Sequence, residues 1–432
     1  MASRSKALAA LCERADACDR DDSLAPLRAE FLFPQGPGGD VAYLCGNSLG
    51  LQPRATRAAL QGELDDWQRL GVEGHFHARN PWYSYHEPLA APLGRLLGAS
   101  PLEVVAMGSL TSTLHALLIS FYRPSGRRTK IAMEEAAFPS DRYALASHLR
   151  LHGQDPDAAA LVLRPRPGEA QLRTEDVLAT LRRHGDEVAL IMLGAVHYYT
   201  GQLHDMKAIT AAGHAIGACV GWDLAHAAGN VELQLHDWGV DFAVGCSYKY
   251  LNSGPGSVGI AFVHDRHARA PELPRLAGWW GNDAATRFAM PESFQPAAGA
   301  VGWQQSNAPV FAMAPLRVSL EVFDRATMPA LRRKSLALTG LLAEGLQLLL
   351  DAHPGAFEIL TPADPAARGA QLSLLLPGRA AGLAAALQAA GVVADLRRPD
   401  VIRVAPAPLY CRFADVARAL QVVADFLAAE GR

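Results

Sequence analysis

Between residues 104 and 263 short apolar runs alternate with polar turns and with stretches whose apolar positions recur at helical spacing. Val104-Val-Ala-Met predicts a strand that passes into a helix opening at Ser109–Thr113 and running to Phe121. Lys130-Ile-Ala-Met leads to a helix through Leu151, and Leu161-Val-Leu to one from about Thr174 to His184. Val188-Ala-Leu-Ile-Met-Leu, Val220-Gly-Trp-Asp-Leu, Asp241-Phe-Ala-Val-Gly-Cys and Val258-Gly-Ile-Ala-Phe-Val follow as further strands. Strands that are apolar on both faces and alternate with helices predict an α/β fold, a mostly parallel sheet covered on both sides.

The flanks differ in texture. Residues 1–55 read as an N-terminal arm, with an amphipathic helix, an irregular stretch and a short strand near Tyr43, expected to pack with the small domain. Residues 56–315 form the large domain, beginning with a helix from Ala55 to Leu70 whose apolar positions are Leu60, Leu64 and Trp67. Segment 71–88 has no periodicity and is expected as a loop able to line a pocket. Leu276 to Phe311 is also aperiodic, and structureless stretches of that length tend to be functional. Residues 316–432 read as a smaller α+β domain, with strands near 357–360, 372–376, 392–396 and 401–404 between helices.

A chain of 432 residues, half of them apolar, has ample material for two packed units. A net charge of −3 leaves no basic surplus for nucleic acid or anionic lipid. The six cysteines show no metal-finger spacing, which predicts reduced thiols in a cytoplasmic protein. Arg4 and Lys6 precede an apolar run that Glu13 and Asp16 cut short, so no signal peptide is expected, and no run is expected to span a membrane. His75 and His77 alternate in a polar segment, which reads as surface; no metal is expected.

The candidate chemistry gathers at strand ends. Lys249 follows the apolar run that ends at Ser247 and precedes a Gly-Pro-Gly hinge, so backbone geometry holds it. A lysine must be partly desolvated to act as a nucleophile, and a strand end facing a cleft provides that. Asp223 ends another strand, and an acid and an amine at neighbouring strand ends are what pyridoxal phosphate requires. The hydroxyl-rich helix start Ser109–Thr113 offers free N–H groups to a phosphate, although plain N-capping reads the same way. Phe138, Asp141, His197 and His226 also fall at strand ends, where ligands of such sheets bind. Arg403 lies within an apolar strand and needs an anionic partner, either a protein carboxylate or the carboxylate of a substrate. Gly254-Pro-Gly-Ser-Val-Gly259 has dinucleotide-binding spacing but runs into a strand and opens no helix, which argues against that reading.

Several blocks resemble kynureninase: Leu44-Cys-Gly-Asn-Ser-Leu-Gly-Leu-Gln-Pro53, Phe138-Pro-Ser-Asp141, His197-Tyr-Tyr-Thr-Gly-Gln202, Trp222-Asp-Leu-Ala-His-Ala-Ala-Gly-Asn230, Cys246-Ser-Tyr-Lys-Tyr-Leu-Asn252 and Ile402-Arg-Val-Ala-Pro-Ala-Pro-Leu-Tyr410. They run in order from about residue 40 to 415. The resemblance implies a pyridoxal phosphate enzyme of fold type I, a homodimer with active sites at the subunit interface. Its activity would be hydrolytic cleavage of L-kynurenine or 3-hydroxy-L-kynurenine in tryptophan catabolism and NAD biosynthesis. It implies that Lys249 bears the cofactor, Asp223 pairs with the ring nitrogen, and Phe138 stacks on the ring opposite Ala225. Leu110, Thr111, Pro139, Ser140, Asp141, His226 and Tyr248 would contact the cofactor or its phosphate, with Tyr248 also the proton donor. Trp279 and Asn307 would reach in from the neighbouring subunit, and Arg403 and Asn307 would bind substrate.

Two features depart from the family pattern. Segment 71–81 is longer than expected, and Gly194-Ala195 stand where relatives often carry a hydroxyl. Asn307 in Ser-Asn-Ala-Pro resembles the form that prefers the 3-hydroxylated substrate. The competing readings are a related lyase, such as a cysteine desulfurase with Cys411 as its reactive thiol, and a cofactor-free structural relative.

Overall fold

The computed structural model describes residues 2–430 apart from Arg269 and Pro271, and the side chains from residue 7 onward. Its centre is a seven-stranded sheet: β1 (Val104–Ala106), β2 (Lys130–Glu134), β3 (Ala160–Leu163), β4 (Val188–Gly194), β5 (Cys219–Asp223), β6 (Phe242–Cys246) and β7 (Gly259–Val263). The spatial order is β1-β7-β6-β5-β4-β2-β3. Strands β6, β5, β4, β2 and β3 pair in parallel, while β7 runs antiparallel to both β6 and β1. β6 and β7 are buried along their whole length and β4 up to its final glycine, as both-face coverage requires. The parallel strands therefore bring Glu134, Gly194, Asp223 and Cys246 to one edge of the sheet.

A second layer holds a four-stranded antiparallel sheet, β8 (Glu358–Ile359), β9 (Leu372–Leu375), β10 (Asp395–Arg397) and β11 (Val401–Val404), in the order β8-β9-β11-β10. The helix Ala2–Arg20 packs on Met328–Ala352 and on the last helix, Phe413–Glu430. Ala42–Tyr43 adds a parallel pair to Val392–Val393. The N-terminal arm thus lies against the C-terminal layer.

Three expectations need correction. Residues 310–326 form one helix, so a boundary between 315 and 316 would cut it; the chain turns only at Thr327. The segment 71–88 is not a plain loop but a run of short helical turns at 71–73, 74–77 and 82–84. They are pinned by Glu63, whose buried carboxylate accepts from Asn80, Trp82 and Tyr85 at 2.9–3.1 Å. The helix Thr56–Leu70 therefore buries Glu63 and Asp66, while Leu64 and Trp67 of its apolar stripe stay exposed. Finally, Met328–Ala352 is long and apolar enough to cross a membrane by length and composition, contrary to the sequence reading. It buries Leu331, Leu338, Leu342 and Leu346 in the core, as a core helix of that composition does.

Candidate active site

The turn after β6 is held from three sides. Ser247 Oγ lies 2.8 Å from Ser257 Oγ and donates to the carbonyl of Val258, tying the turn to the start of β7. The Gly50 N–H donates to the Tyr248 carbonyl at 2.8 Å. A Cβ at Gly50 would lie 2.3 Å from the Lys249 carbonyl oxygen, so the arm and the turn touch backbone to backbone. Lys249 Nζ lies 3.1 Å from His226 Nε2, 5.8 Å from the Phe138 ring centre and 5.7 Å from that of Tyr248.

Asp223 ends β5 level with Gly194 of β4 and Val244 of β6, and its Oδ1 accepts from the Ala225 N–H at 2.7 Å. Asp141 sits in the first turn of the helix Pro139–Leu151 and is buried, with Oδ1 lacking a partner. The helix Leu110–Phe121 opens on a capping box between Ser109 and Ser112. The first N–H groups of a helix have no intrahelical acceptor and carry its positive dipole end. Thr111 Oγ1 and Ser140 Oγ, 2.7 Å apart, join the two helix starts. The last glycine of the Gly-Pro-Gly-Ser-Val-Gly run packs here, since a Cβ at Gly259 would meet the Ser109 carbonyl carbon at 2.8 Å. That spacing serves close approach of the first helix start, not a dinucleotide.

Leu110, Thr111, Phe138, Ser140, Asp141, Asp223, Ala225, His226, Tyr248 and Lys249 line one cavity, as the sequence reading expected. Pro139, expected as a contact, does not line it and occupies the first position of the helix. His197, also at a strand end, is buried beside the cavity with Nδ1 facing the Thr200 N–H and hydroxyl. Glu134, Val196 and Tyr198 line the cavity and were not singled out as contacts; Gly194, noted for lacking the hydroxyl of relatives, lines it too. Glu134 was findable, since it closes the run Lys130-Ile-Ala-Met at the same sheet edge.

Trp279 and Asn307 stand apart from the cavity within the chain. The Trp279 indole N–H donates to the Arg287 carbonyl, and Asn307 lines a separate hollow with Met107 and Gly108. Arg403, expected to bind a substrate carboxylate, is likewise not among the residues that line the cavity. It is fully buried, and Asp395 lies directly opposite it on the neighbouring strand. Its Nε and a terminal nitrogen are both 2.8 Å from Asp395 Oδ2, and the other terminal nitrogen donates to the Tyr198 carbonyl. One of the two partners the sequence left open, a protein carboxylate, is thus provided by Asp395.

The cavity floor is crowded with acids. Burial holds both Asp141 and Asp223 above the usual carboxylate range; the Asp223 charge raises Asp141 further, while Lys249 and the contacts from the Ala225 N–H and Asp141 oppose the rise at Asp223. Glu134 is pushed up to about 8 by burial and by Asp223. Burial and then the Lys249 charge keep His226 neutral, and burial raises the Tyr248 phenol so that it keeps its proton. Three carboxyl groups against one amine leave the floor short of positive charge. A pyridine ring whose nitrogen carries a proton supplies that charge beside Asp223, and a phosphate matches the two joined helix starts. The residues present therefore fit pyridoxal phosphate. The group that could hold a metal among the described residues, Glu103, His236, His264 and Asp265, lies away from this cavity. Its Glu103 already accepts from the Ser100 and Asp265 N–H groups and faces His236.

The profile of class-V aminotransferases matches residues 43–351, and that of the kynureninase C-terminal domain residues 331–423. A kynureninase of Myxococcus xanthus is 56% identical over 402 residues, covering 93% of each chain. One of Salinispora tropica is 55% identical, covering 97% of this chain and 98% of its own. Among solved structures, a cysteine desulfurase of Escherichia coli superposes with a TM-score of 0.73 at 17% identity, covering 94% of this chain and 99% of its own. One of Thermococcus onnurineus gives 0.72 at 15% identity over 90% and 95%. The structural likenesses show the shared fold.

Proposed function

The chain belongs to the kynureninase family, and on that premise we propose that the Lys249 cavity is where it cleaves the Cβ–Cγ bond of L-kynurenine or its 3-hydroxy form. It is a pyridoxal phosphate-dependent hydrolase acting on a carbon–carbon bond of a ketone, and water enters as anthranilate or 3-hydroxyanthranilate and L-alanine leave. The observation that carries the site assignment is that Lys249 and Asp223, from neighbouring strand ends, line one cavity with the hydroxyl-rich helix start.

When bound, pyridoxal phosphate supplies an aldehyde for the lysine amine and a ring that withdraws the electron pair left at the substrate Cα. Lys249 would hold the cofactor, and its amine, once released, is the base for the Cα proton. Neutral His226 accepts a hydrogen bond from that amine and keeps it over the cavity. Asp223 would keep the ring nitrogen protonated: opposite charges ~4 Å apart attract by about 4 kcal/mol at an effective dielectric near 20, which is about three pKa units. Thr111, Ser140 and the first-turn N–H groups would hold the phosphate, and Phe138 and Ala225, which line the same cavity, would contact the ring. Tyr248, holding its proton at neutral pH, is suited to protonate the departing three-carbon fragment.

Trp279 and Asn307 complete a neighbour's site in this reading, which makes the working unit a homodimer; that neither lines the chain's own cavity supports it. The free cysteines suit a reducing cytoplasmic setting, and tryptophan catabolism is the pathway such a reaction serves. A cysteine desulfurase needs an accessible thiol. Cys411 is buried against the Tyr43 carbonyl, and no described cysteine lines the cavity.

The test is turnover of kynurenine and 3-hydroxykynurenine by cofactor-loaded protein, with Lys249→Ala as control. Anthranilate or its hydroxylated form should accumulate only with Lys249 present, and the Asn307 reading expects the higher kcat/KM for the hydroxylated substrate. Sulfide release from cysteine without kynurenine cleavage would overturn the reading.

A further inference from the structure

Glu134 has no part in the chemistry above, yet it lines the same cavity. It ends β2, is buried, and lies beside the end of β4, where both its oxygens face the Gly194 N–H at 3.2 and 3.3 Å. Gly194 is level with Asp223 in the sheet and brings no side chain of its own. A Cβ there would meet Glu134 Oε1 at 3.1 Å, so the carboxyl group occupies the space that a side chain at 194 would use.

Pyridoxal phosphate presents four polar features: a ring nitrogen, a phosphate, an aldehyde and a phenolic oxygen. Asp223, the joined helix starts and Lys249 answer the first three, and His226 commits Nε2 to Lys249. We infer that Glu134 is a further cofactor-binding residue, whose carboxyl O–H donates a hydrogen bond to the ring's phenolic oxygen in the place left open by Gly194. This rests on the cavity being the pyridoxal phosphate site.

The surroundings favour a neutral acid. Asp223 and Asp141 face Glu134 from two other elements, and two neighbouring buried carboxylates do not both ionise cheaply. His204 Nε2 is 3.7 Å from Oε2, beyond hydrogen-bond reach, and burial keeps both His204 and His197 uncharged. Lys249 is the cation lining the cavity, and it is opposed by Asp223. At neutral pH the group pushed up to about 8 keeps its proton. Its neighbour Gly194 N–H is itself a donor and cannot accept from the O–H.

The test is binding of pyridoxal 5′-phosphate to cofactor-free protein, by equilibrium dialysis and by pH titration of the bound cofactor's visible absorbance. Glu134→Gln keeps a donor of the same shape and should hold affinity and absorbance midpoint close to those of the parent. Glu134→Ala should bind about tenfold more weakly, the worth of one hydrogen bond, and shift the midpoint. Gly194→Ser in the Glu134→Ala background places a hydroxyl in the vacated space and should restore both. Unchanged affinity and midpoint in Glu134→Ala, or a Gln variant as weak as the Ala variant, would overturn the inference. Should Glu134→Ala fail to fold, the Gln variant and the double variant decide alone. A parent protein that takes up no cofactor would instead sink the site assignment, a separate outcome visible before any variant is compared.

Discussion

Lys249 Nζ stands 3.1 Å from Nε2 of a histidine, His226, that burial and the lysine charge itself keep neutral. The geometry makes the imidazole an acceptor for the ammonium, not a second cation beside it. A hydrogen bond to a charged group contributes about 1.5–3 kcal/mol, or roughly 10–100-fold in an equilibrium or rate. His226→Ala should therefore lower kcat/KM for kynurenine by about that factor, measured on cofactor-loaded protein. An unchanged value would remove the pairing from the mechanism.

Arg403 and Asp395 form a buried pair across adjacent strands. Removing one partner of such a pair leaves an uncompensated charge and costs about 3–5 kcal/mol. Arg403→Ala should lower the urea midpoint by that amount of stability even without cofactor or substrate. If the variant lost substrate affinity at full stability, Arg403 would be a substrate clamp after all.

Gly50 has no room for a methyl group, because a Cβ would press on the Lys249 carbonyl and on Asn252 Oδ1, each at 2.3 Å. Overpacking of this kind costs about 1–3 kcal/mol, and here the displaced backbone carries the cofactor lysine. Gly50→Ala should reduce cofactor affinity along with stability, whereas Gly340→Ala, at a helical glycine with open space around it, should leave cofactor binding intact. Equal effects at the two positions would contradict the contact.

Burial lowers His86 and His197 to about 4 and His204 to about 3. In the unfolded chain a histidine titrates near 6.5. Folded values below the unfolded one mean that the unfolded state binds protons first as the pH falls. Their contribution is complete above about 6.5 and is lost as the pH drops toward 4. Glu134, Asp141 and Asp223, held high by the fold, contribute the opposite slope, so the contrast between parent and variant is what reads the histidines. In urea unfolding at stepped pH, His86→Phe should lose less stability than the parent through that window. Parallel profiles for the two would count against the burial of His86.

Much of the site was legible because its chemistry sits where a local pattern ends. Lys249, Asp223 and the Ser109–Thr113 helix start each close or open an apolar run, and parallel strands deliver such ends to one edge. The same rule would have found Glu134. The helix Thr56–Leu70 shows the rule's limit: its spacing marked Leu60, Leu64 and Trp67, but the fold buries Glu63 and Asp66 and uses them to order the turns that follow. Periodicity fixes which residues share a face, not which face meets a neighbour.

By itself, then, the order of residues determined the alternation of strands and helices and the strand-end position of the lysine and the acid, since both follow from spacing along a few turns of chain. Only the tertiary structure decided that Arg403 closes on Asp395, that Gly50 supports the lysine turn, and that Glu134 fills the gap at Gly194. Those outcomes depend on register and on close approach between segments far apart in sequence, where a shift of one residue or a few tenths of an ångström exchanges one partner for another.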